Sequence, residues 1–234
     1  MSELAAGGGQ HPALQHHFRD LEQQKAASSL GMWVFIAQEI LFFGGIFMAY
    51  IVYRIKYPEA FVAGSHHLSW QVGFFNTLVL IGSSLTMAMA VYSAAIGKSR
   101  RVVGFILATV LLGSVFLGVK YFEYAEKIGP CLPGASGVGC LVPGERFDAS
   151  ALGVSGEAAG HTQIFYSLYF GMTGLHALHM IIGIPILLVI ARAAWKERYS
   201  PEWHTPVEMV GLYWHFVDIV WIFLFPLLYL IGAH

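Results

Sequence analysis

Five stretches of this chain are long and apolar enough to cross a lipid bilayer, and this limits the possible folds more than any other feature. A hydrocarbon core of roughly 30 Å requires about 20 consecutive apolar residues in a helix. The stretches that reach this length are residues 29–54, 72–96, 102–124, 163–191 and 209–232. We therefore predict an all-α integral membrane bundle of five transmembrane helices.

The composition agrees with this prediction and excludes some classes of function. Of the 234 residues, 56% are hydrophobic and 12% are charged, against roughly a quarter charged in an average soluble domain. The net charge of −1 leaves no basic excess to neutralise phosphates, which excludes nucleic acid as a partner. Residues 1–28 form a polar tail without the features of a cleavable signal peptide, so we expect residues 29–234 to be one membrane domain that keeps its first span.

The distribution of basic residues predicts the orientation, because Lys and Arg beside the spans are enriched on the cytoplasmic side. Eight lie on one side: Arg19, Lys25, Lys98, Arg100, Arg101, Arg192, Lys196 and Arg198. Five lie on the other: Arg54, Lys56, Lys120, Lys127 and Arg146. We therefore predict a bacterial inner membrane protein with its N-terminus inside and its C-terminus outside.

The long connection over residues 128–162 is rich in Gly and Pro, which favours irregular backbone. The predicted orientation places it outside the cytoplasm, where disulfides persist. Cys131 and Cys140 lie within it, as either a disulfide or two free thiols. We expect the disulfide.

Several ionisable residues interrupt the apolar spans, although each costs about 2.5 to 3.5 kcal/mol at the bilayer centre. Glu39 lies about 15 Å from the start of the first span, near the bilayer middle. Three pairs have their members three residues apart, and so share a helix face: Glu123 and Glu126, His176 and His179, and His215 and Asp218.

Three interpretations of these residues stay open. A metal site would use the imidazoles and carboxylates, but the Glu-x-x-His motif of di-iron bundles is absent, and we expect no metal. A proton or ion pathway would use the same groups as relay stations. Alternatively, they hydrogen-bond to one another and to lipid head groups, and only set the register of the helices.

The chain has no motif with which it could carry out redox chemistry alone. It contains no Cys-x-x-Cys-His for covalent haem, no Gly-rich phosphate loop, and no nucleophile paired with a base outside the membrane. We therefore expect no catalytic residue in this chain.

Five segments, in this order, resemble subunit III of the haem-copper respiratory oxidases. They are WVFIAQEILFFGGIFMAY (33–50), NTLVLIGSS (76–84), EYAE (123–126), TGLHALHMIIG (173–183) and YWHFVDIVWIFLF (213–225). The resemblance covers residues 29–232. The commonest form of that family has seven helices, and this chain resembles a shorter bacterial form that lacks the first two.

The resemblance implies a subunit without a redox centre, packed beside catalytic subunit I and subunit II of a cytochrome c oxidase. Haem and copper belong to the catalytic subunit, while this chain supports proton uptake, binds phospholipid and preserves the catalytic centre. Glu39 matches the mid-membrane glutamate of the family. Its interior polar set is matched by His176, His179, His215 and Asp218. The 128–162 loop departs from the usual short connection, and we expect it to contact a further subunit of the respiratory complex.

Two alternatives remain at this point. Within the resemblance, the chain is an accessory subunit of a quinol oxidase or a nitric-oxide reductase, because both use close relatives. From another class, it is a proton-coupled transporter, for which the five spans show no inverted repeat.

Overall fold

The computed structural model describes residues 13–132, 139–145, 147–148, 152–153 and 157–231, and every regular element within them is helical. The elements are α1 (Leu21–Lys56), α2 (Pro58–His66), α3 (Trp70–Ala95), α4 (Ser99–Ile128) with a 3-10 turn (Gly129–Cys131), α5 (Glu157–Trp195) and α6 (Thr205–Tyr229). All but α2 are long and apolar enough to cross a membrane. The prediction of an all-α bundle with five spans is confirmed, and the orientation of its termini stays a prediction.

The helices extend beyond the apolar stretches, because hydrogen-bond capping rather than hydropathy sets where a helix begins. Helix α1 starts at Leu21, inside the predicted polar tail, where the Asp20 carboxylate accepts a hydrogen bond from the Gln23 N–H at 2.7 Å. Helix α5 starts at Glu157, so the connection after α4 is shorter than predicted. Helix α2 was missed, since nine residues opened by a proline give no membrane signal.

Helix α6 occupies the centre of the bundle. Over its most apolar 18 residues 56% are buried, compared with 22–39% in the other four long helices. Trp214 and Trp221 on α6 are fully buried. Their indole N–H groups donate to Ser83 Oγ at 2.8 Å and to Thr77 Oγ1 at 3.2 Å, and so join α6 to α3.

Two glycines let the neighbouring helices approach this centre. A Cβ atom on Gly113 of α4 or on Gly183 of α5 would lie 3.0 Å from the Trp214 ring. A larger side chain at either position would therefore push a helix away from α6.

Helix α1 is the peripheral member of the bundle. It packs on α5 and α6 along one side, through buried residues such as Ile36, Glu39, Phe43 and Tyr50. The Tyr50 hydroxyl donates to the Leu227 carbonyl and so joins α1 to the end of α6. The opposite side of α1 is exposed.

Helices α3 and α5 end on the same face of the bundle and in the same way. At both ends a residue in the left-handed region follows the helix, Gly97 with a φ of 70° and Glu197 with a φ of 52°. The next N–H groups, of Lys98 and Arg198, bond to the carbonyls five residues back at 2.9 and 3.2 Å. This is the Schellman arrangement.

Candidate functional site

Glu39 and His179 meet between α1 and α5. The His179 Nε2 atom lies 3.3 Å from the Glu39 Oε2 atom, and the side chains are 16% and 11% exposed. The contact has the distance of an ion pair without the geometry of a hydrogen bond. An intramembrane carboxyl therefore faces an intramembrane imidazole directly.

The other nitrogen of His179 determines what this contact requires. His179 Nδ1 lies 2.8 Å from the Leu175 carbonyl oxygen. A carbonyl only accepts, so Nδ1 carries a proton, and Nε2 of a neutral imidazole would present a lone pair to Glu39. A neutral imidazole of this tautomer and an ionised carboxylate would therefore place two lone pairs against each other, which is unfavourable.

Aromatic side chains enclose the pair. The Phe43 ring centroid lies 5.5 Å from that of His179, and the Tyr213 hydroxyl donates to the His179 carbonyl at 2.9 Å. These contacts bring residues of α1, α5 and α6 together around one proton-binding pair.

His215 and Asp218 are one turn apart on α6 but have different surroundings. His215 Nδ1 lies 2.6 Å from Ser84 Oγ, which joins α6 to α3. Asp218 is 2% exposed, and neither of its carboxyl oxygens has a hydrogen-bond partner among the described residues. Among the described residues, His215 and Asp218 therefore do not form one hydrogen-bonded pair.

His176 faces other neighbours than His179, although the two are only three residues apart. It is 1% exposed, and both ring nitrogens are without a hydrogen-bond partner within the described part of the chain. Its ring packs against those of Phe116 and Trp221, with centroids 5.3 and 5.2 Å away. The structure therefore does not join the two imidazoles into one site.

Glu123 lies in a second buried cluster, at the opposite end of the bundle from the α3 and α5 C-termini. Lys120 Nζ lies 2.9 Å from Glu123 Oε2, and the Tyr169 and Tyr229 hydroxyls donate to Glu123 Oε1 at 2.7 and 2.6 Å. Lys127 Nζ lies 3.8 Å from the same oxygen. We call these five residues the Glu123 cluster.

The Glu123 cluster holds two lysines and one carboxylate, so it carries a net positive charge. Glu126 does not join it, because its side chain is exposed. The charge of Lys127 acts on the nearby connection between α2 and α3, where partial burial, then the charges of His66 and Lys127, lower the pKa of His67.

Lys120, Lys127, Tyr169 and Tyr229 were not among the site residues predicted from the sequence. Lys120 and Lys127 were counted as flanking charges, whereas they are 4% and 5% exposed. Their spacing from Glu123, three and four residues on one helix, was the available signal. The tyrosines come from α5 and α6, and no local pattern marked them.

The cysteines form a disulfide just after α4. The Cys131 and Cys140 sulfurs are 2.10 Å apart, and their Cα atoms are 4.9 Å apart. Arg146, counted with the outer charges, lies outside the described residues. Within the described ranges, no group of three His, Cys, Asp or Glu side chains could hold a metal ion.

Two apolar grooves open on the sides of the bundle. One, of about 820 Å³, runs between α4 and α5, and Lys120, Tyr124 and Gly174 contribute to its lining. The other, of about 500 Å³, runs between α1 and α6 and includes Gly44 and His215.

Comparison with known proteins identifies the family. The model of the family "Cytochrome c oxidase subunit III" matches residues 16–131 and 157–233. The chain is 33% identical over 203 residues to cytochrome c oxidase subunit 3 of Thermostichus vulcanus, covering 86% of each chain. It is 31% identical to the Corynebacterium diphtheriae subunit 3, covering 87% of each. It is also 27% identical to a cytochrome bo(3) ubiquinol oxidase subunit 3 of Pseudomonas aeruginosa, covering 87% of this chain and 84% of the relative. The chain belongs to the cytochrome c oxidase subunit III family.

Proposed function

We propose that this chain is the non-catalytic subunit III of a haem-copper cytochrome c oxidase in a bacterial inner membrane. In this proposal the haem and copper are held by the partner catalytic subunit I, and subunit II is a further partner. The chain itself supports proton uptake, binds phospholipid and stabilises the catalytic subunit. The observation that carries the proposal is the contact of Glu39 with His179, because it places a carboxyl and an imidazole, two groups able to bind and release protons, 3.3 Å apart within the membrane-spanning helices.

The Glu39 pair can exchange a proton without a large movement. Because Oε2 and Nε2 are 3.3 Å apart, a small reorientation of the carboxyl would bring them into hydrogen-bond geometry for transfer, while the Leu175 carbonyl keeps the imidazole oriented. A group of this kind can accept and release protons beside a proton-consuming partner. If it did neither, a glutamine at position 39 would serve equally well as an interhelical polar contact.

The test uses Glu39→Gln in the purified native complex, with Glu126→Gln as the matched control, because Glu126 is exposed and makes no contact with the pair. Haem content and subunit stoichiometry are measured first, then proton uptake and the decline of turnover with time. We expect normal assembly with slower proton uptake or faster inactivation in Glu39→Gln only. Unchanged uptake and durability in that variant would contradict a role in proton supply.

The lipid part of the proposal is supported by the groove between α4 and α5. Its lining is almost entirely apolar apart from Lys120 and the tyrosines, so it fits acyl chains. The net positive charge of the Glu123 cluster favours an anionic head group at its end. Native mass spectrometry of the complex should show fewer anionic lipids bound after Gly174→Trp, which fills the groove, than after Gly104→Trp near the opposite end of α4.

A quinol oxidase subunit is the second candidate, because one of the relatives carries that name. A nitric-oxide reductase subunit and a transporter have no comparable support. Purification of the native complex, its visible spectrum and its activity with cytochrome c or quinol distinguish these functions. A haem-free preparation with transport activity would contradict membership of an oxidase.

A further inference from the structure

We infer that the exposed side of α1 is a docking surface for a transmembrane helix of another subunit, and that this helix supplies a hydrogen-bond partner for Gln38. The inference rests on the proposed function, because it requires a multi-subunit membrane complex. It goes further by naming the surface and the chemistry that the partner needs.

The exposed residues of α1 recur with a regular period. One line of side chains runs down the middle of the exposed side with alternating steps of four and three residues. We call it the α1 seam: Val34, Gln38, Leu41, Gly45, Met48 and Val52. All six are exposed, up to 77% for Leu41. A mean spacing of 3.5 residues is the pattern with which one helix follows another at a small crossing angle.

Gln38 places a polar amide on this apolar surface. It directly precedes Glu39, so it lies near the middle of the bilayer, and its side chain is exposed on the surface of α1. It makes no hydrogen bond to any residue that the structure describes. Lipid tails offer an amide neither a donor nor an acceptor, whereas a polar side chain or a small-residue helix surface can offer both. The surface around Gln38 is therefore suited to a protein helix rather than to acyl chains.

Two glycines on the exposed side of α1, Gly45 in the seam and Gly31 one turn before Val34, have open space around them within this chain. A Cβ atom on Gly45, or on Gly31 one heptad beyond Gln38, would meet nothing within 4 Å. At Gly183, by contrast, it would lie 3.0 Å from Trp214. These two glycines therefore leave room for close approach by a partner helix.

The shape of the surface favours another subunit over a second copy of this chain. The seam borders the groove between α1 and α6, to which Ile40 and Phe223 contribute. A two-fold axis through the seam would place the two grooves on opposite sides and leave both unfilled. A larger subunit with neighbouring helices can cover the seam and the groove together. The pattern extends from Gly31 to Ile55, about 36 Å along the helix. A partner that covers it must therefore cross the whole membrane.

The main test compares Gly45→Leu with Gly104→Leu in the native complex. Both glycines are exposed in long helices and have nothing within 4 Å of a Cβ atom, so neither change disturbs the packing of this chain. We expect Gly45→Leu to lower retention of the chain during detergent purification by about tenfold. Gly104→Leu should leave it unchanged. Equal retention of both variants would overturn the inference.

Gln38→Leu tests the hydrogen bond separately. Because such bonds contribute little in membranes, we expect retention to fall about threefold. Retention equal to that of the unchanged protein would overturn the part of the inference that concerns Gln38.

A photo-crosslinking amino acid at Leu41 identifies the occupant, with the same probe at Val189 on α5 as the control, since both positions are exposed. We expect Leu41, but not Val189, to give an adduct with one other membrane subunit of the haem-containing complex. An adduct with a second copy or with lipid alone overturns the inference. If the chain nevertheless co-purifies with haem, the proposed function still stands. If the unchanged chain does not co-purify with haem, the proposed function fails as well.

Discussion

Gly97 and Glu197 occupy the same left-handed position after the parallel helices α3 and α5, but only glycine is favoured at that position. The left-handed backbone costs a non-glycine residue about 1 kcal/mol or more. We expect Glu197→Gly to stabilise the chain by up to about 1 kcal/mol, partly offset by the added freedom of the unfolded chain. The measurement is the temperature at which half of the chain in the solubilised complex precipitates.

Gly97→Ala provides the converse experiment. Alanine would strain the backbone, and its Cβ would lie 3.1 Å from Pro201 in the connection between α5 and α6. We expect a loss of about 1 to 2 kcal/mol. A destabilising Glu197→Gly would show instead that the glutamate side chain stabilises this end of the bundle.

The Glu123 cluster should be sensitive to loss of its only acidic member. Glu123→Gln leaves the buried Lys120 without its carboxylate and Lys127 with only the exposed Glu126 nearby. Removing one partner of a buried ion pair costs about 3 to 5 kcal/mol. We expect a large fall in the precipitation temperature. Exposed Glu126→Gln, on the same helix, should have little effect.

The double variant Lys120→Met with Glu123→Gln separates pairing from packing. Methionine keeps most of the lysine volume and removes its charge, so we expect the double variant to be more stable than Glu123→Gln alone. Lys120→Met alone completes the comparison. If the stability changes of the two single variants sum to that of the double variant, the contributions of Lys120 and Glu123 do not depend on each other.

Gly183 should tolerate no larger side chain. A Cβ atom there would lie 3.0 Å from both Tyr213 and Trp214, whereas one on Gly171 of the same helix would meet nothing within 4 Å. We expect Gly183→Val to destabilise the chain by about 1 to 3 kcal/mol relative to Gly171→Val. Helix propensity cancels in this comparison, so equal stabilities would contradict the packing at Trp214.

The disulfide can be tested directly. Alkylation of freshly prepared native complex should modify neither Cys131 nor Cys140 unless a reductant is added, and mass spectrometry of the unreduced peptide should show the two halves joined. Two alkylated thiols without reductant would contradict the bridge. Turnover should persist when both cysteines are replaced by serine, because the bridge lies outside the Glu39 pair.

The sequence predicted what depends on length and local pattern, and it missed what depends on distant partners. The five spans follow from apolar length alone. Lys120 was interpreted as a flanking charge, because its burial depends on tyrosines that are 49 and 109 residues away in the chain. The three-residue spacing of His176 and His179 predicted a shared helix face. It did not show that α1 would face one imidazole while Phe116 and Trp221 face the other.

The central position of α6 has a consequence for biosynthesis. This helix leaves the ribosome after the four other described spans, yet it supplies Trp214 and Trp221, which fill the middle of the bundle and bond to Ser83 and Thr77. The four earlier spans therefore enter the membrane around a centre that is still unfilled, with these hydroxyls lacking their final partners. A premature stop before α6 removes only the C-terminal part of the chain, but it should leave an unassembled product that membrane proteases degrade.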